Sequence, residues 1–300
     1  MSSRKNMFTS QKRLRILVLL ICLFLASCSD PSSSKNSEEE RTIHIAVIPT
    51  EDAQQQLLHL EPLRGYLSRT IGVPVEFQIT TDYTAAIEAL RANHVQMAWL
   101  GPFSYVLACD LVDITPVVGG IRKDTNDIYY ESIILVRADS GIESLADLPG
   151  HTFAFVDPAS TSGYLFPLAE LLEAGINPER DFEAVVYAGS HTAVELAIAN
   201  GQVDAAADSL PSYNLMVEEG AVDPEQVRII WVSDPIPPSP VVARQDLGDD
   251  TIRRVREVLV TAGPEVISFE GEIAGYAPVS DSDYDVIREV AQRVGVMPNK

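Results

Sequence analysis

From Thr42 onward the apolar residues fall into two alternating patterns. Short β-rich runs at Ile43 to Ile48, Val75 to Thr80 and Val95 to Leu100 are separated by helical patterns at Gln54 to Thr70 and Tyr83 to Ala92. Such alternation predicts βαβ units and a mostly parallel sheet. The pattern changes at Tyr129 to Arg137, which reads as one long strand, and a second βαβ series follows from Thr152 to Trp231. A last strand, Ser239 to Ala243, precedes two helices, about Asp250 to Ser268 and Asp281 to Val294. The expectation is an α/β chain of two lobes joined by two crossover strands. Residues 42–134 and 239–300 would form the first lobe and 135–238 the second. No tandem repeat is visible.

The chain before Thr42 follows a different pattern. Arg4, Lys5, Lys12, Arg13 and Arg15 lead into the apolar run Ile16 to Ala26, which ends at Leu25-Ala26-Ser27-Cys28. Those 11 apolar residues fall short of the roughly 20 that span a bilayer, and the small residues before a cysteine form a lipobox. Residues 1–27 are expected to be a lipoprotein signal peptide, with Cys28 the lipidated first residue of the mature chain. Residues 28–41 would be a flexible tether, since Ser29 to Glu40 lacks apolar side chains. The protein is thereby expected outside the cytoplasm, in the periplasm or at the cell surface, anchored to the membrane by its lipid.

Cys22 lies in the segment to be removed and Cys28 carries lipid, so Cys109 is the one thiol left to the mature domain. A disulfide framework is excluded, and roughly 260 residues bury enough apolar surface to be stable by packing alone. The formal charge of the whole chain is -21; without residues 1–27, which hold five cations and no anions, it is -26. Nucleic acid is a poor partner for such a field. An anionic small molecule is not excluded, because a closed pocket recognises charge through its local donors.

The segment Phe153-Ala154-Phe155-Val156-Asp157-Pro158-Ala159-Ser160-Thr161-Ser162-Gly163 reads as a buried strand ending in a hydroxyl-rich turn, followed by a helix from Tyr164 to Ala174. Ser160, Thr161 and Ser162 offer three hydroxyls beside helical amides that lack acceptors, an anion cradle built without any cation. The same turn would also serve as an ordinary N-cap. Gly189-Ser190-His191 opens a second helix after the strand Ala184 to Tyr187, so both N-termini can converge on one crevice at the carboxyl ends of the strands. His191 is either a ligand-binding or a structural histidine. His44, His59, His94 and His151 show no metal-ligand spacing with it, and neither metal nor cofactor is expected. Tyr83, Tyr105 and Tyr130 offer phenol donors and flat walls, or else core packing.

Asp82-Tyr83, Gly101-Pro102-x-Ser104-Tyr105, Ser160-Thr161-Ser162-Gly163, Gly189-Ser190-His191 and Gly201-x-Val203-Asp204-Ala205-Ala206-Ala207 occur in this order. Together the set resembles the phosphate, phosphite and phosphonate solute-binding proteins of ABC transporters, over roughly residues 43 to 245. The resemblance implies a type II periplasmic-binding-protein fold, a phosphorus oxyanion or phosphonate as ligand, and an ABC permease as partner. The binding protein itself would be monomeric and not an enzyme. The resemblance places the phosphorus oxygens on Ser160, Thr161, Ser162 and His191, with Tyr83 and Tyr130 in the opposite lobe. In members that take an aminoalkyl group, acidic residues receive the ammonium. Asp208 is a candidate, whereas Ile236-Pro237-Pro238-Ser239-Pro240 offers no carboxylate and Thr192 stands where an acidic residue is expected. These departures favour phosphite, phosphate or a small phosphonate such as methylphosphonate, with Asp208 accepting from a protonated ligand oxygen.

Two other readings use the same residues. A hydrolase would pair Ser160 or Ser162 with His191, but no Gly-x-Ser-x-Gly elbow is present and no acid is placed by sequence to orient the histidine. A sensory lipoprotein would bind the same ligand and present it to a receptor.

Overall fold

The computed structural model describes residues 42–263, 266 and 273–297; the expected signal peptide, Cys28 and the tether lie outside these residues. The first described strand starts at Ile43. β1 (Ile43–Val47), α1 (Ala53–Ile71), β2 (Val75–Ile79), α2 (Tyr83–Arg91), β3 (Met97–Trp99), α3 (Pro102–Cys109) and β4 (Ile114–Arg122) follow in order. Local chemistry sets the helix ends. Asp52 caps α1 by accepting from the amides of Gln54 and Gln55, and Gly72, at φ 86°, supplies the left-handed turn that ends it.

The chain then crosses to β5 (Ser132–Arg137), β6 (Thr152–Phe155), a π-helical turn (Thr161–Leu165), α4 (Phe166–Glu173), the single turn α5 (Pro178–Asp181) and β7 (Ala184–Tyr187). Next come α6 (His191–Ala199), β8 (Ala205–Ser209), α7 (Leu210–Glu218) and β9 (Val227–Val232). The return contributes β10 (Pro240–Arg244), α8 (Asp249–Val260), β11 (Ile273–Pro278) and α9 (Asp285–Arg293).

Two sheets result, ordered β11-β4-β10-β3-β1-β2 and β7-β6-β8-β5-β9. Strands belonging to βαβ units pair in parallel, as β1 does with β2 and β3, and β6 with β7 and β8. The expectation of mostly parallel sheets needs correction, because each sheet also takes in a strand that has just crossed from the other. β10 runs antiparallel between β3 and β4, and β5 antiparallel between β8 and β9. Among the described residues the two crossing segments pair at a β-bridge. Tyr130 N–H donates to Ile236 O at 3.1 Å, and Ile236 N–H donates to Tyr130 O at 2.7 Å.

That bridge explains why Tyr129 to Arg137 is not one strand. Between the sheets the backbone of Tyr130 pairs with the other crossing segment at Ile236, and sheet pairing starts at Ser132. β4 and β11 were not expected at all. Pro116 and Gly119-Gly120 look like turn residues in the sequence, yet β4 tolerates the proline because the ladder to β10 shifts register there, Val241 pairing with Val118 and Val242 with Pro116.

Three buried clusters fill the molecule. One packs α1 and α8 on the first sheet through Leu60, Leu63, Leu67, Ile252, Val255 and Leu259. Another covers the second sheet, with Phe153 and Phe182 stacked at 4.9 Å. The largest is continuous across both sheets, from Ile48, Tyr83 and Phe103 to Ile133, Val156 and Val194, and so surrounds the cleft between them.

Candidate functional site

The cleft forms where several helices begin. Ser160, Thr161 and Ser162 line it from the start of the π-helical turn, His191 from the start of α6, and Tyr83 and Gly101 from the starts of α2 and α3. The cleft holds a cavity of about 90 Å³.

Burial and bonding prepare the hydroxyls as donors. Ser160, Thr161 and Ser162 are each no more than 2% exposed. Ser160 Oγ accepts from Gly163 N at 3.1 Å, and Thr161 Oγ1 accepts from Phe103 N, across the cleft, at 2.8 Å. A hydroxyl that accepts one backbone N–H keeps its own O–H to donate. Ser132 Oγ holds the turn from beneath by donating to Ser162 O at 2.6 Å. The amides of Thr161 and Ser162 open the helical turn and by position lack intrahelical acceptors. The turn also requires Gly163, since a Cβ there would lie 2.3 Å from Val156 Cγ2. The helix expected from Tyr164 begins three residues earlier, with a π-turn followed by α4.

His191 projects from the N-terminus of α6, which Ser190 caps by accepting from Ala193 N at 3.2 Å. Its Nε2 lies 3.4 Å from Tyr83 Oη, and its Nδ1 is bonded to Asp208 Oδ1. Two expectations change here. Asp208 is fully buried, also accepts from Ser209 N at 2.7 Å, and stands behind the histidine rather than lining the cleft. An acid therefore does orient His191, supplied by the end of β8, a placement that a separation of 17 positions hid in the sequence.

Tyr130 lines the cleft beside its bridge to Ile236, and Tyr83 is 1% exposed with its ring on the cleft. Tyr105 does not line it. Its hydroxyl donates to Asp281 Oδ1 at 2.6 Å and its ring meets Tyr284 edge-on at 4.8 Å, so the expected wall is a core residue. Burial, followed by the Asp281 bond, pushes the Tyr105 phenol pKa well up.

Several lining groups carry no signal in the sequence. Thr50 contributes its backbone O, which accepts from Thr192 N at 3.3 Å and gives Thr192 a role across the cleft. Trp99, Ile128, Pro238 and Ile273 form an apolar wall, and Ser239 lines the cleft as well. Arg122, from the end of β4, lines it while donating to Asp124 Oδ2 at 2.7 Å, so the site is not free of cations as expected. It was hidden because β4 itself was not recognised. Among the described lining residues there is no carboxylate. Asp157 comes close, accepting from Ala159 N at 2.7 Å and from Tyr83 N at 3.5 Å, and burial raises its pKa.

Over residues 45–284 the chain matches the family described as "ABC transporter, phosphonate, periplasmic substrate-binding protein". It is 33% identical to the phosphate-import protein PhnD of Mycolicibacterium smegmatis, covering 92% of this chain and 94% of that one. It is 30% identical to the phosphonates-binding periplasmic protein of Escherichia coli, covering 90% and 82%. Among solved structures, the binding protein component of an ABC phosphonate transporter from Pseudomonas aeruginosa superposes with a TM-score of 0.77 at 27% identity, over 85% of this chain and 88% of that one. The architecture is that of the type II periplasmic binding proteins.

Proposed function

Because the chain belongs to the phosphonate periplasmic substrate-binding proteins of ABC transporters, we propose that its own ligand is a small phosphorus oxyanion: phosphite, phosphate or a short phosphonate such as methylphosphonate. The observation that carries this reading is the convergence of Ser160, Thr161, Ser162 and His191, from two helix N-termini, on one cleft lined by no described carboxylate. An aminoalkyl ammonium would find no countercharge on that lining.

In the proposed mechanism the hydroxyls and the amides at the start of the turn take the phosphorus oxygens, and His191 Nε2 and Tyr83 Oη close over them. Each charge-assisted hydrogen bond is worth about 1.5–3 kcal/mol, so four near the upper end, about 12 kcal/mol together, reach the roughly 8 kcal/mol net of micromolar binding with a margin for ordering and closure. The lobes, 42–134 with 239–300 and 135–238, would rotate about the crossing segments bridged at Tyr130 and Ile236. The closed form is then delivered to the permease. Lipid at Cys28 would hold the protein at the membrane; Cys28→Ser is expected to release it into the soluble extracytoplasmic fraction.

A thermal-shift and calorimetric screen of phosphate, phosphite, methylphosphonate, aminoethylphosphonate and sulfate tests the ligand class. The first three should raise Tm most. Ser160→Ala and His191→Ala should each weaken their binding at least about tenfold with the fold intact. Unchanged affinity in both variants would sink the site assignment.

A further inference from the structure

One buried group behind the cleft is unused by the ligand reading. Glu195 lies one turn beyond His191 on α6 and is fully buried, although it is charged in water. Neither of its oxygens makes a hydrogen bond of ordinary length; the groups it faces are Asp208 on β8 and Ser212 on α7. Asp208, in turn, holds His191 Nδ1. Two carboxyls and an imidazole thus form a row leading from the core to the cleft.

We infer that Glu195 is a positioning residue: through Asp208 it fixes the orientation and charge of His191, so that an oxyanion is captured together with one proton. The inference rests on the oxyanion reading above. Two adjacent buried carboxyls cannot both ionise. Asp208 has the better claim to the charge, because His191 Nδ1–H and Ser209 N–H both point at it. Glu195 is left neutral, and its one proton is available to Asp208. Burial, and then the charge of Asp208, push its pKa up to about 11.

With Nδ1–H committed to Asp208, proton exchange on the ring is confined to Nε2, the atom beside Tyr83 Oη at the cleft. An arriving oxyanion places a second negative charge on the far side of the ring from Asp208. The imidazolium is then favoured, and a solvent proton is taken up at Nε2, where it is shared with the ligand oxygen. The other groups around the row are Thr50 from the β1–α1 loop, the Tyr213 phenol on α7, which faces Glu195, and Arg122 on the cleft lining, held by Asp124. Burial, followed by Glu195, raises the Tyr213 pKa.

The test uses the full chain and two variants. Glu195→Gln keeps a neutral donor facing Asp208, whereas Glu195→Leu removes that donor, so the Asp208 carboxylate is less stabilised, takes a proton from solvent more readily and offers His191 a weaker countercharge. In ring-nitrogen NMR of the protein without ligand, the His191 titration midpoint should fall by about one pH unit in Glu195→Leu and stay near wild type in Glu195→Gln, one unit being a tenfold change in the proton equilibrium. Calorimetry with methylphosphonate at about pH 9, where the probe is already largely a dianion, in buffers of different ionisation enthalpy, should show proton uptake in wild type and Glu195→Gln. Uptake should be largely lost in Glu195→Leu, with about tenfold weaker binding. An unmoved His191 midpoint in Glu195→Leu overturns the inference whatever the ligand, and so does a drop in Tm with unchanged proton uptake. If the wild type binds neither methylphosphonate nor inorganic phosphate, the oxyanion reading fails instead, and the ring titration still decides the role of Glu195.

Discussion

Thr161 is the residue at which the proposed ligand capture and lobe closure meet in one hydroxyl, so a single methyl-for-hydroxyl exchange strikes both. Its Oγ1 accepts from Phe103 N, at the start of α3 on the opposite sheet, at 2.8 Å, and it lies in the cleft with 2% exposure. Thr161→Val keeps the shape and removes both functions of the hydroxyl. In the closed form Phe103 N–H is left buried without its acceptor, a cost of about 1–3 kcal/mol, and the ligand loses one charge-assisted bond worth about 1.5–3 kcal/mol. When the lobes open, water satisfies the same N–H, so the first cost falls on closure rather than on the folding of either lobe. The two together amount to about 2.5–6 kcal/mol, or roughly two to four powers of ten in Kd. Thr161→Ser retains the oxygen and should stay within about tenfold of wild type. Titration calorimetry with phosphate and methylphosphonate measures the effect, and thermal melts without ligand show whether the fold is intact. Binding by Thr161→Val within about threefold of wild type, or a Thr161→Ser variant as weak as Thr161→Val, would refute the reasoning.

Glu195 makes stability depend on pH in a stated direction. Its folded pKa is raised, to about 11, so between its unfolded value near 4.5 and that limit the native state binds the extra proton, and stability falls as pH rises. Glu195→Gln removes this loss: its unfolding free energy should gain on that of wild type from pH 5 to 8, by at most about 1.4 kcal/mol per pH unit in denaturant melts; a constant difference would show that Glu195 ionises normally. Tyr105→Phe deletes the hydroxyl bonded to Asp281 and should lower stability by about 0.5–1.5 kcal/mol while leaving ligand affinity unchanged, read by denaturant melts and calorimetry.

The parts of this molecule legible in the sequence are those governed by local periodicity and capping. β1, α1, β2 and α2 repeat along a pattern that needs no tertiary information, and the expected bounds fall within about two residues of the observed ones. The Ser160-Thr161-Ser162 turn was legible because three hydroxyls at a strand end are unusual in themselves. β4 was not, because Pro116 and Gly119-Gly120 signal a break that a register shift and close neighbours absorb: a Cβ on Gly119 would lie 2.3 Å from Pro238 Cγ, and one on Gly120 2.6 Å from Ile273 Cδ1. Arg122 was lost with it. Asp208 was recognised as an acid near the site but given the wrong direction, since only pairing of β8 with β5 and β6 places its side chain behind His191. The spacing of Glu195, four residues after His191 on one helix, was the available signal for the row of buried groups.

The chain's formal charge of -21 at first argues against an anionic ligand. The distribution of groups around the cleft removes the conflict. Its described lining combines hydroxyls, amides at the start of helices, His191 and Arg122, while the nearest acids are each engaged: Asp208 with His191 and Ser209, Asp124 with Arg122, and Asp157 with Ala159 and Tyr83. Surface carboxylates more than about 8–10 Å away are screened at physiological salt, whereas donors inside a closing cleft are not. The net charge therefore acts on encounter, and the local donors act on residence. Raising the ionic strength should accelerate association of a phosphorus oxyanion while leaving its dissociation rate nearly constant, a pattern stopped-flow kinetics can read. A dissociation rate that rises with salt as steeply as association would place the recognising charges on the exposed surface instead of in the cleft.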